Sequence, residues 1–286
     1  QGTSLTVENP QFQRVPTKHS KTGSAQGTSL TVEQPKAGDE LAGLQVIILS
    51  GRGMGQYREV TANTADTLTL DRPWDVAPQA GQYMGVFWLR RHVIIYDNDG
   101  SDSSAMCQLW GSAYDMIIDG CRARRGQGLW GLGGWFVQMK HNQLYSGLSF
   151  HPGIGPHGAN PETNSPFSPV GFAAAGRMEG SGLPFPLVVG AVLRDNQLSF
   201  NHRLLLKTGY STLKESLYDY PIFSGVLVDG NQVEHSAVGV QIGANIANAL
   251  VARNGFQDVA QPYQLTAPEK VTVLDGNNKP VTVGAP

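Results

Sequence analysis

The sequence predicts an all-β chain whose central part is a solenoid of short, stacked strands. Two observations carry the prediction. A short apolar run ending in a polar pair recurs along the chain, and the recurrence has a period in the low twenties. The units are Val93-Ile94-Ile95-Tyr96-Asp97-Asn98, Met116-Ile117-Ile118-Asp119-Gly120-Cys121, Val137-Gln138-Met139-Lys140-His141-Asn142, Ala191-Val192-Leu193-Arg194-Asp195-Asn196, Val226-Leu227-Val228-Asp229-Gly230-Asn231 and Ala249-Leu250-Val251-Ala252-Arg253-Asn254. Their last residues are 23, 21, 54, 35 and 23 positions apart. One supersecondary unit per repeat, stacked on its neighbours, gives such a period. The runs are too short for helices, rich in Val and Ile, and bounded by Gly, Asn and Asp. The two long intervals read as ordinary coils that carry an inserted loop.

Alignment on the terminal Asn sorts the side chains into rows. Ile95, Ile118, Met139, Leu193, Val228 and Val251 form one inward row; Val93, Met116, Val137, Ala191, Val226 and Ala249 form another. Both are apolar throughout, as alternation along a strand requires of residues facing a core. The terminal asparagines should stack as a ladder that satisfies buried turn groups, each tolerating left-handed φ, with Cys121 as an interrupted rung.

Over about residues 90 to 260 these repeats resemble the right-handed parallel β-helix of the pectate-lyase-like superfamily. The likeness is one of pattern and carries no signature motif. It implies a polysaccharide bound in a groove along the parallel face, and a lyase or glycoside hydrolase as the activity. The other class of function is a non-catalytic structural, fibre, adhesin or tailspike-like protein that self-associates.

The outward row Tyr96, Asp119, Lys140, Arg194, Asp229, Ala252 would hold the groove, with His141 and Asp195 beside it. A lyase needs a base and cations that neutralise a uronate and its enolate-like transition state. Lys140 and Arg194 suit those tasks, with His141 as a second base. A hydrolase needs two carboxylates, which Asp195 and Asp229 on neighbouring coils would supply. Against both stands a solvated ladder of ion pairs with no function. His151, Arg177, His202, Arg203 and Tyr218 are the expected further substrate contacts. The second outward row, Ile94, Ile117, Gln138, Val192, Leu227, Leu250, is largely apolar, and is either covered by other parts of the chain or forms a homo-oligomer interface.

The remainder is read in order. Residues 1–43 form an irregular or β segment in which Gln1–Glu8 returns almost unchanged as Gln26–Glu33. Residues 44–89 alternate as strands and resemble a small β-barrel-like module of the kind found beside β-helices, expected to cover the first coil. Its Gly51-Arg52-Gly53-Met54-Gly55-Gln56 lacks the Lys-Ser/Thr and the helix of a phosphate loop, so it reads as a glycine hairpin. Residues 90–262 are the β-helix, with insertions at 146–186 and 208–221, and 263–286 close it as a hairpin cap. The glycine- and proline-rich first insertion is long enough to be functional.

Composition narrows the partners. Charged residues are 15% of the chain, the formal net charge is −2 and no basic block occurs, which argues against nucleic acid. No apolar run is long enough to span a membrane. The start at Gln1 fits a secreted, extracellular protein whose leader has been removed. Cys107 and Cys121 are read as free thiols. No metal site is assigned: His151 and His157 lack further ligands, although Asp97, Asp99 and Asp102 give one turn the flavour of a calcium loop. Trp110, Trp130 and Trp135 suit packing between coils better than stacking on sugars.

Overall fold

The computed structural model describes residues 18–26, 29–33, 41–64, 66–101, 107–110, 113–124, 129–132, 134–145, 186, 188–199, 204–206, 221, 223–244 and 246–284. These are all-β apart from one 3-10 turn at Pro268–Lys270. The chain divides into two compact units, one of residues 5–89 and one that contains residues 90–286.

The first unit is a closed antiparallel barrel of β1 (Lys18–Gln26), β2 (Ser29–Glu33), β3 (Gln45–Ile48), β4 (Tyr57–Asn63), β5 (Thr67–Leu70) and β6 (Tyr83–Phe87), in the order β1-β2-β5-β4-β3-β6. Strands from both sides of residue 43 therefore belong to one sheet, and the expected boundary there moves. β2 falls in the repeated octapeptide, whereas polar sequence hid β1, whose pairing with β6 closes the barrel without a strong apolar pattern. The core is Leu44, Val46, Ile48, Val60, Leu68, Leu70, Trp74, Met84 and Val86. The Gly51–Gly55 stretch is the β3–β4 hairpin, with Gly51, Gly53 and Gly55 all at positive φ. The Ser29–Glu33 half of the repeated octapeptide is β2; its first copy lies outside the described residues.

The second unit is built from parallel sheets. In the larger, Ile94–Tyr96, Ala113–Asp119, Gly134–Lys140, Val192–Arg194, Val226–Asp229, Ala249–Ala252 and Val271–Leu274 pair in succession. The register is the one the asparagine alignment sets: Ile95 pairs with Ile118, then Met139, Leu193, Val228 and Val251. Both inward rows are buried from Met116 and Ile118 onward, while Val93 of the first coil stays exposed. The second sheet runs Arg122–Arg124, Gln143–Tyr145, Gln197–Ser199, Gln232–Ile242 and Gly255–Leu265, again parallel and in register. A third, of two strands, joins Cys107–Trp110 to Leu129–Leu132.

Between the two main sheets the buried asparagines stack. Asn142 donates its backbone N–H and its Nδ2 to Asn196 Oδ1, each at 3.0 Å, and Asn196 does the same to Asn231, and Asn231 to Asn254. Each remaining Nδ2 proton goes to a strand carbonyl three residues before the rung below, as Asn196 to Met139 O at 2.9 Å. Cys121, buried and free, completes the pattern weakly: its N–H reaches Asn142 Oδ1 at 3.0 Å, and its Sγ lies 3.6 Å from Ile95 O. The left-handed residue, expected to be the asparagine, is the one before it. Asp97, Gly120, His141, Asp195, Gly230 and Arg253 all have φ between 48° and 66°. That turn lets the asparagine point inward while its predecessor points out.

The expected C-terminal hairpin begins instead as one more rung, Val271–Leu274, parallel to Ala249–Ala252. Buried Val271 and Val273 extend the inward rows, and only then does the chain turn back through an antiparallel bridge between Leu274 and Pro280.

Candidate functional site

Strand register and the left-handed corner bring the charged residues together. Asp119, Lys140, Arg194 and Asp229 end consecutive paired strands. His141, Asp195 and Arg253 stand one residue further on, in the turn. A left-handed non-glycine residue costs roughly 1–2 kcal/mol, and Gly120 and Gly230 avoid it at the same turn. His and Asp tolerate the conformation better than Arg does, so Arg253 is held there by its partners.

Those partners are the carboxylate oxygens of Asp229. Arg253 Nε donates to Oδ1 at 2.8 Å and Nη2 to Oδ2 at 2.5 Å, while Arg194 Nη2 and Nε lie 3.0 and 3.1 Å from Oδ2. Although its row faces outward, Asp229 is only 3% exposed, because the two guanidinium groups close over it. The hydrogen bond from Arg253, with the positive charge of both arginines, holds its carboxyl below the usual range against the opposing effect of burial. Burial notwithstanding, the arginines favour its charged form, and both of its oxygens are taken up by them. Sequence reasoning missed Arg253; its place in the same turn row as His141 and Asp195 was the available signal.

The second cluster centres on His141, whose side chain is 57% exposed. Its Nδ1 is 2.7 Å from Asp119 Oδ1 and its Nε2 is 3.7 Å from Asp195 Oδ2. Lys140 Nζ lies 3.9 Å from Asp119 Oδ2. Asp119 thus orients the ring and also faces the ammonium group, and Asp195 is half exposed on the other side. Two further His–Asp pairs occupy other left-handed positions: His92 Nδ1 to Asp115 Oδ2 at 2.9 Å, and His235 Nδ1 to Asp258 Oδ2 at 3.3 Å.

One corner therefore gathers Asp119, Lys140, His141, Arg194, Asp195 and Asp229. His151, Arg177, His202, Arg203 and Tyr218 lie outside the described residues, as does Asp102. Asp97 lies 3.9 Å from Arg122, and Asp99 accepts the Ser101 N–H at 3.0 Å, so both are engaged by protein groups. Among the described residues no three His, Cys, Asp or Glu side chains gather as metal ligands. Trp135 is buried, as packing required. Among the described residues no helix is long and apolar enough to cross a membrane.

Stacked parallel rungs bearing a charged corner define an all-β protein with a linear surface strip. No known family profile matches the chain, and no curated protein sequence matches it. Among solved structures it is similar to the tailspike protein gp49 from Pseudomonas phage LKA1, at 7% identity and a TM-score of 0.21. The alignment covers 90% of this chain and 43% of that one, so the chain spans less than half its length.

Proposed function

We propose that this chain is an extracellular polysaccharide-binding protein on a right-handed parallel β-helix of the pectate-lyase-like kind, with the glycan lying along the charged corner. The observation that carries the reading is His141, kept half exposed at a turn position where glycine would be less strained, and oriented by Asp119 at 2.7 Å. An imidazole aligned by one carboxylate and beside a second suits proton transfer to or from a bound sugar. Lys140 and Arg194 lie along the strip as glycan contacts, whereas Asp229 holds Arg194 and Arg253 in place. Binding is tested by affinity electrophoresis in gels containing a polysaccharide panel, comparing the protein with His141→Ala. Retardation by a glycan, lost in the variant, supports the reading; equal migration in every gel removes it. Release of reducing ends or of unsaturated products from the retarding glycan then separates hydrolysis, elimination and binding alone.

A second reading rests on the other outward row. Ile94, Ile117, Gln138, Val192, Leu227 and Leu250 run in register, and Ile94 is 68% exposed. A largely apolar row on a sheet face, interrupted by Gln138 and exposed at Ile94 and Leu250, favours a self-associating fibre or spike. Light-scattering mass at micromolar concentration tests it: a monomer would exclude it.

A further inference from the structure

We infer that the glycan of this strip is a neutral, hydroxyl-rich polymer and not a polyuronate; the inference rests on the polysaccharide reading above. A polyuronate carries a carboxylate on each sugar and calls for cations with charge to spare. Along the described strip the charges are already balanced. Asp229 takes both Arg194 and Arg253, and Asp119 faces Lys140. Drawing Arg194 toward a uronate would weaken its hold on a buried carboxylate, which opposes binding. The half-exposed Asp195 would moreover repel such a chain. On the adjoining sheet Arg122 lies 3.9 Å from Asp97 and Arg124 sits over the Tyr145 ring at 5.9 Å.

What the corner does present is amide. Three residues beyond Lys140, Arg194 and Asp229, past each buried asparagine, stand Gln143, Gln197 and Gln232, paired in register. Gln197 and Gln232 are exposed. Each amide both donates and accepts, as sugar hydroxyls do, and adds no net charge. Their spacing of about 4.8 Å lets one chain meet successive rungs. Tyr145 donates its hydroxyl to Gln197 Oε1 at 3.0 Å, which anchors that amide by its oxygen.

The test titrates the intact chain with neutral polymers (glucans, mannans, galactans) and with polygalacturonate, alginate and hyaluronate, each at 50 and 500 mM salt. The expected result is binding to a neutral polymer that changes less than twofold with salt. It should weaken at least tenfold in Gln197→Ala/Gln232→Ala, with the thermal midpoint of that variant checked to show that it folds. Salt-sensitive binding confined to a uronate polymer would overturn this inference and leave the polysaccharide reading intact. Neutral binding that the double variant keeps in full would remove the glutamines from it. Silence across both classes would overturn the reading and the inference together.

Discussion

The carboxylate of Asp195 lies directly over Gly230 on the next coil, so that a Cβ at residue 230 would collide with Asp195 Oδ1. Gly230 also has φ +66°, and it separates Asp229 from the asparagine ladder. The glycine thus answers to two demands, a left-handed turn and room for a charged neighbour. Gly230→Ala is expected to lose about 1–2 kcal/mol from backbone strain and to displace Asp195 as well. Urea unfolding measures the first, and weaker glycan binding the second.

His141 offers the converse test. His141→Gly relieves the left-handed strain, about 1–2 kcal/mol, and forfeits an exposed pair worth about 1 kcal/mol or less. Stability should hold or rise while glycan binding falls at least tenfold. A variant that unfolds more readily and binds as before would assign His141 to architecture.

The asparagine ladder should be the most sensitive part of the second unit. Asn196→Ala would take the acceptor from the backbone N–H of Asn142 and one partner each from its Nδ2 and from the Met139 carbonyl. Each buried polar group left unpaired costs about 1–3 kcal/mol, so a loss of about 2–4 kcal/mol is expected. Cys121→Asn should act in the opposite direction and gain about 0.5–1.5 kcal/mol by replacing a long thiol contact with an amide hydrogen bond. A melting temperature that falls in Cys121→Asn would mean that the larger amide does not fit the rung.

Acid should loosen the charged corner through Asp229. Its carboxyl is held low in the folded chain, so its contribution is complete above the unfolded value of about 3.9 and disappears as pH falls through the lower folded one. Stability measured between pH 5 and 2 should decline with a slope that Asp229→Asn flattens. At neutral pH the same variant should be less stable by about 1–3 kcal/mol, because it removes charge-assisted hydrogen bonds to two arginines that solvent still reaches. An unchanged acid slope would show that other carboxylates dominate.

Vertical registry was legible in the sequence because period-two alternation and a buried amide leave few choices of alignment. Ile118 against Met139 and Asp119 against Lys140 follow from counting back from Cys121 and Asn142. What lay hidden depends on side-chain reach. Nothing in the order of residues says that Arg194 and Arg253 fold over Asp229 from either side, turning an outward carboxylate into a buried one. The long parallel partners Gln232–Ile242 and Gly255–Leu265 were hidden too, since Gln, Glu, His and Pro break their apolar alternation. Val271–Leu274 was hidden by its nearness to a turn that suggested a hairpin.

Asn142 and Asn196 touch as neighbouring rungs although 54 positions separate them. Distance along the chain and height along the stack are thus independent quantities in this architecture. A segment of any length can be spliced in at that point and leave every rung above and below at its own level. The corner can therefore acquire new surroundings, by descent or by design, without its foundations being relaid.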